Sequence, residues 1–245
     1  MDKSGNEWKI FVQIKQSLVM EGDKVMQDIP VFTSAYGAAS LILREIPYKK
    51  IAYIRIQDSL DPEKLLEECV SFCRMCGAEH IYATGHESLR AYPVQCSILQ
   101  MQGNADPEER LVCALFPVTE RTAAKFREAY NLRMNPVDHA ATLTWADEKK
   151  LARRQAYFIH QGGEPLGLGI LEDGTLHALA SLTPGGGLRT LHTLFSLCPG
   201  EHIRLEVAST NTRAIRLYEK AGFLKTREVS RWYTVEKQPL SRKNT

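Results

Sequence analysis

The order of elements along the chain predicts an α/β protein with a mixed sheet, built as two tandem copies of one fold. Three observations carry this. A strand at 51–56, a helix at 61–76 and a strand at 80–84 make one crossover unit. A strand at 175–182, a helix at 188–198 and a strand at 202–207 make another, offset by about half the chain. Hairpin signals at 161–164 (Gln-Gly-Gly-Glu) and 172–174 (Glu-Asp-Gly) place antiparallel strands ahead of the second crossover, which makes the sheet mixed. The polar, turn-rich stretch 102–110 has no apolar period and separates the halves, so the expected domains are 1–105 and 110–245.

Taken in order, 8–19 and 29–43 read as strand-like or mixed segments. The run Ile51-Ala-Tyr-Ile-Arg-Ile56 is a strand, and Asp61-Pro62 supplies a cap and a first-turn proline for the helix that Gly77 ends. That helix carries Cys69, Cys73 and Cys76 at the C-x3-C-x2-C spacing used by some iron–sulfur sites. The thiols fall in one helical stripe with Leu65, Leu66 and Phe72, and a free Cys packs as a small hydrophobe, so they are expected in the core. A strand at 111–118 opens the second half, followed by a helix at 119–130 capped by Thr119 and a helical region over 136–154. Strands at 155–162, 165–171 and 175–182 follow, then Thr-Pro-Gly-Gly-Gly at 183–187 and the helix at 188–198.

The last crossover strand alternates, with Ile203, Leu205 and Val207 on one face and Arg204 and Glu206 on the other. Asn211 is a good N-cap for the helix that follows, and Gly222 suits its close. Ala214, Leu217, Tyr218 and Ala221 form a stripe facing a core, with Arg213, Arg216 and Lys220 toward solvent.

Composition narrows the classes. With 31 Lys plus Arg against 29 Asp plus Glu the net charge is +2, so nothing global points to nucleic acid or a membrane surface as partner. The first residues lack the apolar region of a signal peptide, and no run reaches the ~18 apolar residues a spanning helix needs. Six cysteines without framework spacing fit reduced thiols. Together these give the expectation of a cytoplasmic protein. Seven histidines show no metal-site pairing and no G-x-S-x-G elbow occurs, so no metal is expected.

Leu205-Glu-Val207, Asn211 and the run from Ala214 through Leu217-Tyr218 to Gly222-Phe223 strongly resemble the last strand–helix motif of the GCN5-related N-acetyltransferases. The repeated order of elements, not any motif, makes the first half a degenerate N-terminal copy of that family's fold. The resemblance implies a C-terminal copy of the fold using acetyl-coenzyme A as co-substrate. It implies that Asn211 bonds the pantetheine arm, beside Ala214, and that Tyr218 protonates the departing thiolate. Glu206 is the candidate base, by likeness to relatives that acetylate protein N-termini; its other reading is an exposed strand carboxylate paired with a neighbouring Arg. The backbone of Leu179, Ala180, Ser181 and Leu182 would line the thioester, where the coenzyme splays two strands apart.

Gly185, Gly186 and Gly187 before Leu188 suit a diphosphate at a helix N-terminus, with Arg189 adding charge, or else a simple connecting turn. The family's loop usually opens with Arg or Gln, and that position here is Leu182. The corresponding loop of the first half, 57–62, has no Gly and carries Asp58 and Asp61, so that half is expected not to bind coenzyme. Arg231-Trp-Tyr233 either borders the acceptor pocket or is core. A small amine, an amino acid or a peptide N-terminus would each suit as acceptor, and these residues do not select among them; the competing reading is a non-catalytic acetyl-coenzyme A sensor or protein-binding module.

Overall fold

The computed structural model describes residues 26–105 and 113–235. It divides into two compact units, one made of the described residues up to Gln95 together with those from Trp232 on, the other of Cys96–Arg231. The strand-like or mixed segment read at 8–19 lies outside the described residues.

The first unit begins with the antiparallel strands β1 (Ile29–Ser34) and β2 (Gly37–Ile42), then a short helix α1 (Ile46–Lys49). Strand β3 (Ile51–Ser59), helix α2 (Pro62–Met75) and strand β4 (His80–Thr84) are the first predicted crossover. Asp61 caps α2 as its sequence demands, accepting the Lys64 N–H at 3.2 Å. Ala52, Ile54 and Ile56 alternate into a core with Leu65, Leu66, Cys69, Phe72 and Cys73 of α2. Cys69 and Cys73 are fully buried there, and burial pushes the Cys69 thiol up to about 12, so both are packing groups. On the far side of β4, residues 233 and 234 add a strand edge, Tyr233 opposite Ala83 and Thr234 opposite Tyr82.

In the second unit, β5 (Val94–Asn104) pairs antiparallel with β10 (His202–Ala208), and the sheet continues through β9 (Thr175–Ser181), β8 (Glu164–Glu172), β7 (Ala156–Gln161) and β6 (Ala114–Pro117). The strand β11 (Leu224–Thr234) lies on the other side of β5. Among the described residues of this unit β9 and β10 are registered in parallel, and β10 with β5, β9 with β8, β8 with β7 and β7 with β6 are antiparallel. Helices α5 (Gly187–Phe195) and α6 (Thr212–Lys220) pack on one sheet face through Leu191, Leu194, Phe195, Ile215 and Tyr218. Helix α3 (Ala123–Met134) covers the other through Phe126 and Tyr130 against Leu168, Ile170, Ala178 and Ala180. The mixed α/β class is as the sequence predicts.

Three boundaries differ from expectation. Val118 is still bonded to Ala156 at 2.8 Å, and Thr119 and Thr122 bond each other in a turn, so α3 starts at Ala123 and not at Thr119. The helical region 136–154 shrinks to α4 (Trp145–Leu151), because the Thr144–Asp147 capping box fixes a start there. The units divide between Gln95 and Cys96, not at 105–110, since residues 98–104 of β5 are registered with β10; residues 106–112 are outside the description.

Candidate functional site: a groove where two parallel strands part

The parallel strands β9 and β10 are registered at two pairs, Thr175 with Arg204 and Leu176 with Leu205. Beyond these, β9 runs on to Ser181 and β10 to Ala208 without pairing. On its other side β9 stays bonded to β8: the Leu182 N–H reaches the Leu166 carbonyl at 2.9 Å, with Ala180 opposite Leu168 and Ala178 opposite Ile170. Bonding groups alternate along an antiparallel ladder, so the N–H and C=O of Leu179 and Ser181 point to the open edge. The equivalent strands of the first unit behave differently. There β3 and β4 are registered over five pairs, Ile51 with His80 to Arg55 with Thr84.

A groove of about 920 Å³ opens at this parting. One wall is the end of β9 with the following loop, Leu179, Ala180, Ser181, Thr183, Pro184, Gly185, Gly187 and Leu188; a second is α6, from Asn211 to Lys220; the third is the end of α3 and the next residues to Val137. The glycine loop is held tightly. Gly185 has φ +75°, Gly186 would put a Cβ 2.7 Å from Leu166 Cδ1, and Gly187 would put one into Leu217 of α6. Gly186 caps α5 with no side-chain bond, so its first-turn N–H groups have no side-chain acceptor there and the positive end of the helix faces the loop. Arg133, Arg213, Arg216 and Lys220 line the groove, and no lining residue is acidic. The basic rim was not anticipated: the α6 cations read from sequence as merely solvent-facing.

Asn211 lines the groove and spends its side-chain oxygen on the Ala214 N–H at 3.2 Å, which leaves its amide NH2 as donor. Tyr218 is buried, with 8% exposure, and lines the groove beside the Phe223 ring. Burial pushes its phenol well above the ordinary value, and the hydroxyl makes no hydrogen bond among the described residues.

The groove thus collects Leu179, Ala180, Ser181, Gly185, Gly187, Leu188, Asn211, Ala214 and Tyr218 of the predicted residues. Four others stand outside its lining. Gly186 sits under the loop against Leu166. Leu182 packs half-buried against the core under α3, its carbonyl accepting from Arg133 at 2.7 Å. Arg189 is drawn away by Gln161, whose oxygen it bonds at 2.5 Å. Glu206 lies exposed on the face of β10 opposite Ile203, Leu205 and Val207, registered with Gln100, and with no ion pair among the described residues. Trp232 and Tyr233 are core groups of the first unit, Trp232 edge-on to Tyr53 at 5.3 Å and Tyr233 beneath α2. Arg133 was missed because its carbonyl partner lies 49 residues away.

Solved structures share this architecture. A GCN5-related N-acetyltransferase from Anabaena variabilis matches with TM-score 0.54 at 12% identity, over 81% of this chain and 59% of that one. Another from Sphaerobacter thermophilus matches with TM-score 0.51 at 14% identity, over 80% and 76%. A functionally unknown conserved protein from Staphylococcus epidermidis matches with TM-score 0.53 at 11% identity, over 89% and 95%. The fold is that of the GCN5-related N-acetyltransferases. No family model and no curated protein matches the sequence. Among the described residues no helix is long and apolar enough to cross a membrane, and no group of three His, Cys, Asp or Glu is arranged to hold a metal.

Proposed function

We propose that the chain is an N-acetyltransferase that binds acetyl-coenzyme A in the groove of the second unit and acetylates a primary amine, with the first unit a degenerate copy that binds none. The observation that carries this reading is the parting of β9 from β10 beside the glycine loop, with Asn211 and Tyr218 on the facing helix. An extended pantetheine arm finds the unpaired backbone of Leu179 and Ser181 there, and the diphosphate finds the N-terminus of α5 in a rim of four cations.

In the proposed reaction a neutral amine attacks the thioester carbonyl, the C–N bond forms, and the oxyanion is met by a backbone N–H of the open β9 edge. The C–S bond then breaks, and Tyr218 gives its proton to the sulfur. A raised phenol pKa suits this donor: it holds the proton through the neutral range, and the burial that raises it also raises the basicity of a thiolate formed beside it. Glu206, exposed on β10 with no ion pair among the described residues, is the candidate to take the amine proton through water.

Calorimetric titration with acetyl-coenzyme A, followed by a screen of small amines and peptide N-termini for thiol release, tests the proposal. The expected result is micromolar binding and turnover with one amine class. No binding at millimolar coenzyme would overturn the reading. Binding without turnover on any amine would support the alternative of a coenzyme-sensing module, to which the replacement of the usual loop Arg or Gln by Leu182 lends weight.

A further inference from the structure

Resting on the coenzyme reading above, we propose that Arg133 is the diphosphate-binding cation of this groove, supplied from helix α3 in place of a charge the glycine loop lacks. The loop at 183–187 contains no charged residue, and Leu182 precedes it. Arg189, the first cation after it, is held by Gln161 at 2.5 Å and is not in the groove lining. The remaining cations of the lining, Arg213, Arg216 and Lys220, all belong to α6 on another wall.

Arg133 alone brings a charge to the loop from the α3 side. Its Nη2 donates to the Leu182 carbonyl at 2.7 Å, which fixes the guanidinium at the residue from which the loop departs. A guanidinium has five N–H donors in a rigid fork, and one bond to a carbonyl leaves the rest of the fork for phosphate oxygens. The last turn of α3 favours a cation through its own dipole, so Arg133 is held in place before any anion arrives. Its side chain is exposed and lines the groove, and no carboxylate among the lining residues competes for it.

The chemistry recognised is a diphosphate, and the coenzyme carries a second anionic group, its 3′-phosphate, which the α6 cations are free to meet. The two are separable by comparing acetyl-coenzyme A with its 3′-dephospho form. Titrations of wild type, Arg133→Met and Arg133→Lys with both ligands, at several salt concentrations, make the test. Arg133→Met keeps the aliphatic stem and should weaken both ligands by the same factor, about tenfold or more, with a flatter salt dependence. Arg133→Lys keeps the charge and should lose about threefold.

Equal affinity of wild type and Arg133→Met would overturn the proposal while leaving the coenzyme reading intact. A loss confined to the 3′-phosphorylated ligand would move Arg133 to the other phosphate and overturn it too. A fall in thermal stability of the ligand-free Arg133→Met and Arg133→Lys variants that accounts for their loss of affinity would assign the residue to loop packing instead and overturn the proposal. Failure of the wild type to bind either ligand would be failure of the coenzyme reading itself, and the proposal would fall with it.

Discussion

Tyr218 fills its place with a buried ring, while its hydroxyl reaches the groove and makes no hydrogen bond among the described residues, so Phe would pack the same way. The Tyr218→Phe variant should therefore unfold at about the wild-type temperature. Acetyl-coenzyme A should bind it within about twofold of wild type, while turnover falls by about 10²-fold through loss of the acid. Reduced thermal stability in that variant would point to a structural partner for the hydroxyl and remove it from catalysis. The places of Tyr218 and Asn211 on the helix were legible in the sequence because each obeys a local rule, one a helical stripe and the other an N-cap, while their candidate roles came from the family resemblance. Arg133 was not, because its bond to Leu182 joins segments that no local pattern connects.

At the scale of elements, the strands and hairpins of 156–181 were legible because the turn residues at 161–164 and 172–174 divide the run. The start of α3 was not: Thr119 and Thr122 are equally good caps by type, and the bond of Val118 to Ala156 in the neighbouring strand decides between them. The foot of the β8–β9 hairpin shows how such elements are tied. Glu172 accepts from Arg154 at 2.6 and 2.9 Å and from the Gln155 N–H at 2.9 Å. The Arg154 bonds first, and the Gln155 bond after them, hold its carboxyl below the ordinary 4.5. A carboxyl depressed in the folded state adds stability above its unfolded pKa and loses it as pH falls through the folded one. Wild type should thus exceed Glu172→Gln by about 1 kcal/mol or less from pH 7 down to about 5, the pair being partly exposed. The gap should narrow below pH 4.5 and close in stronger acid, as read by chemical denaturation at each pH. A gap independent of pH would assign the effect to packing.

At the scale of the molecule, the two units share one order of strand, helix and strand and differ in whether the parallel pair opens. In the first unit β3 and β4 stay registered along five pairs, and Gly85 packs its bare Cα against the Ile56 carbonyl where they end. The loop between β3 and α2 has no glycine, and Asp61, held ionised by its bonds to Lys64, sits where a phosphate would have to approach. The acidic loop was visible in the sequence; the closed pair was not, because register is a property of two strands together. The division at Gln95 was hidden for the same reason: β5 reads as the end of one half until its pairing with β10 is known. Hydrogen exchange with and without acetyl-coenzyme A separates the units. At a ligand concentration 100 times Kd, an amide that exchanges only from the empty groove is protected by about 2.7 kcal/mol, or about 100-fold. Such slowing is expected at 179–189 and 211–214, the open edge of β9, the glycine loop and the first turns of α5 and α6. Amides at 51–59 and 80–84 should exchange at unchanged rates, because a fully registered pair beside an acidic loop offers the coenzyme neither backbone nor charge. Protection at β3 and β4 equal to that at β9 would mean two working copies, and the degenerate reading of the first would have to be given up.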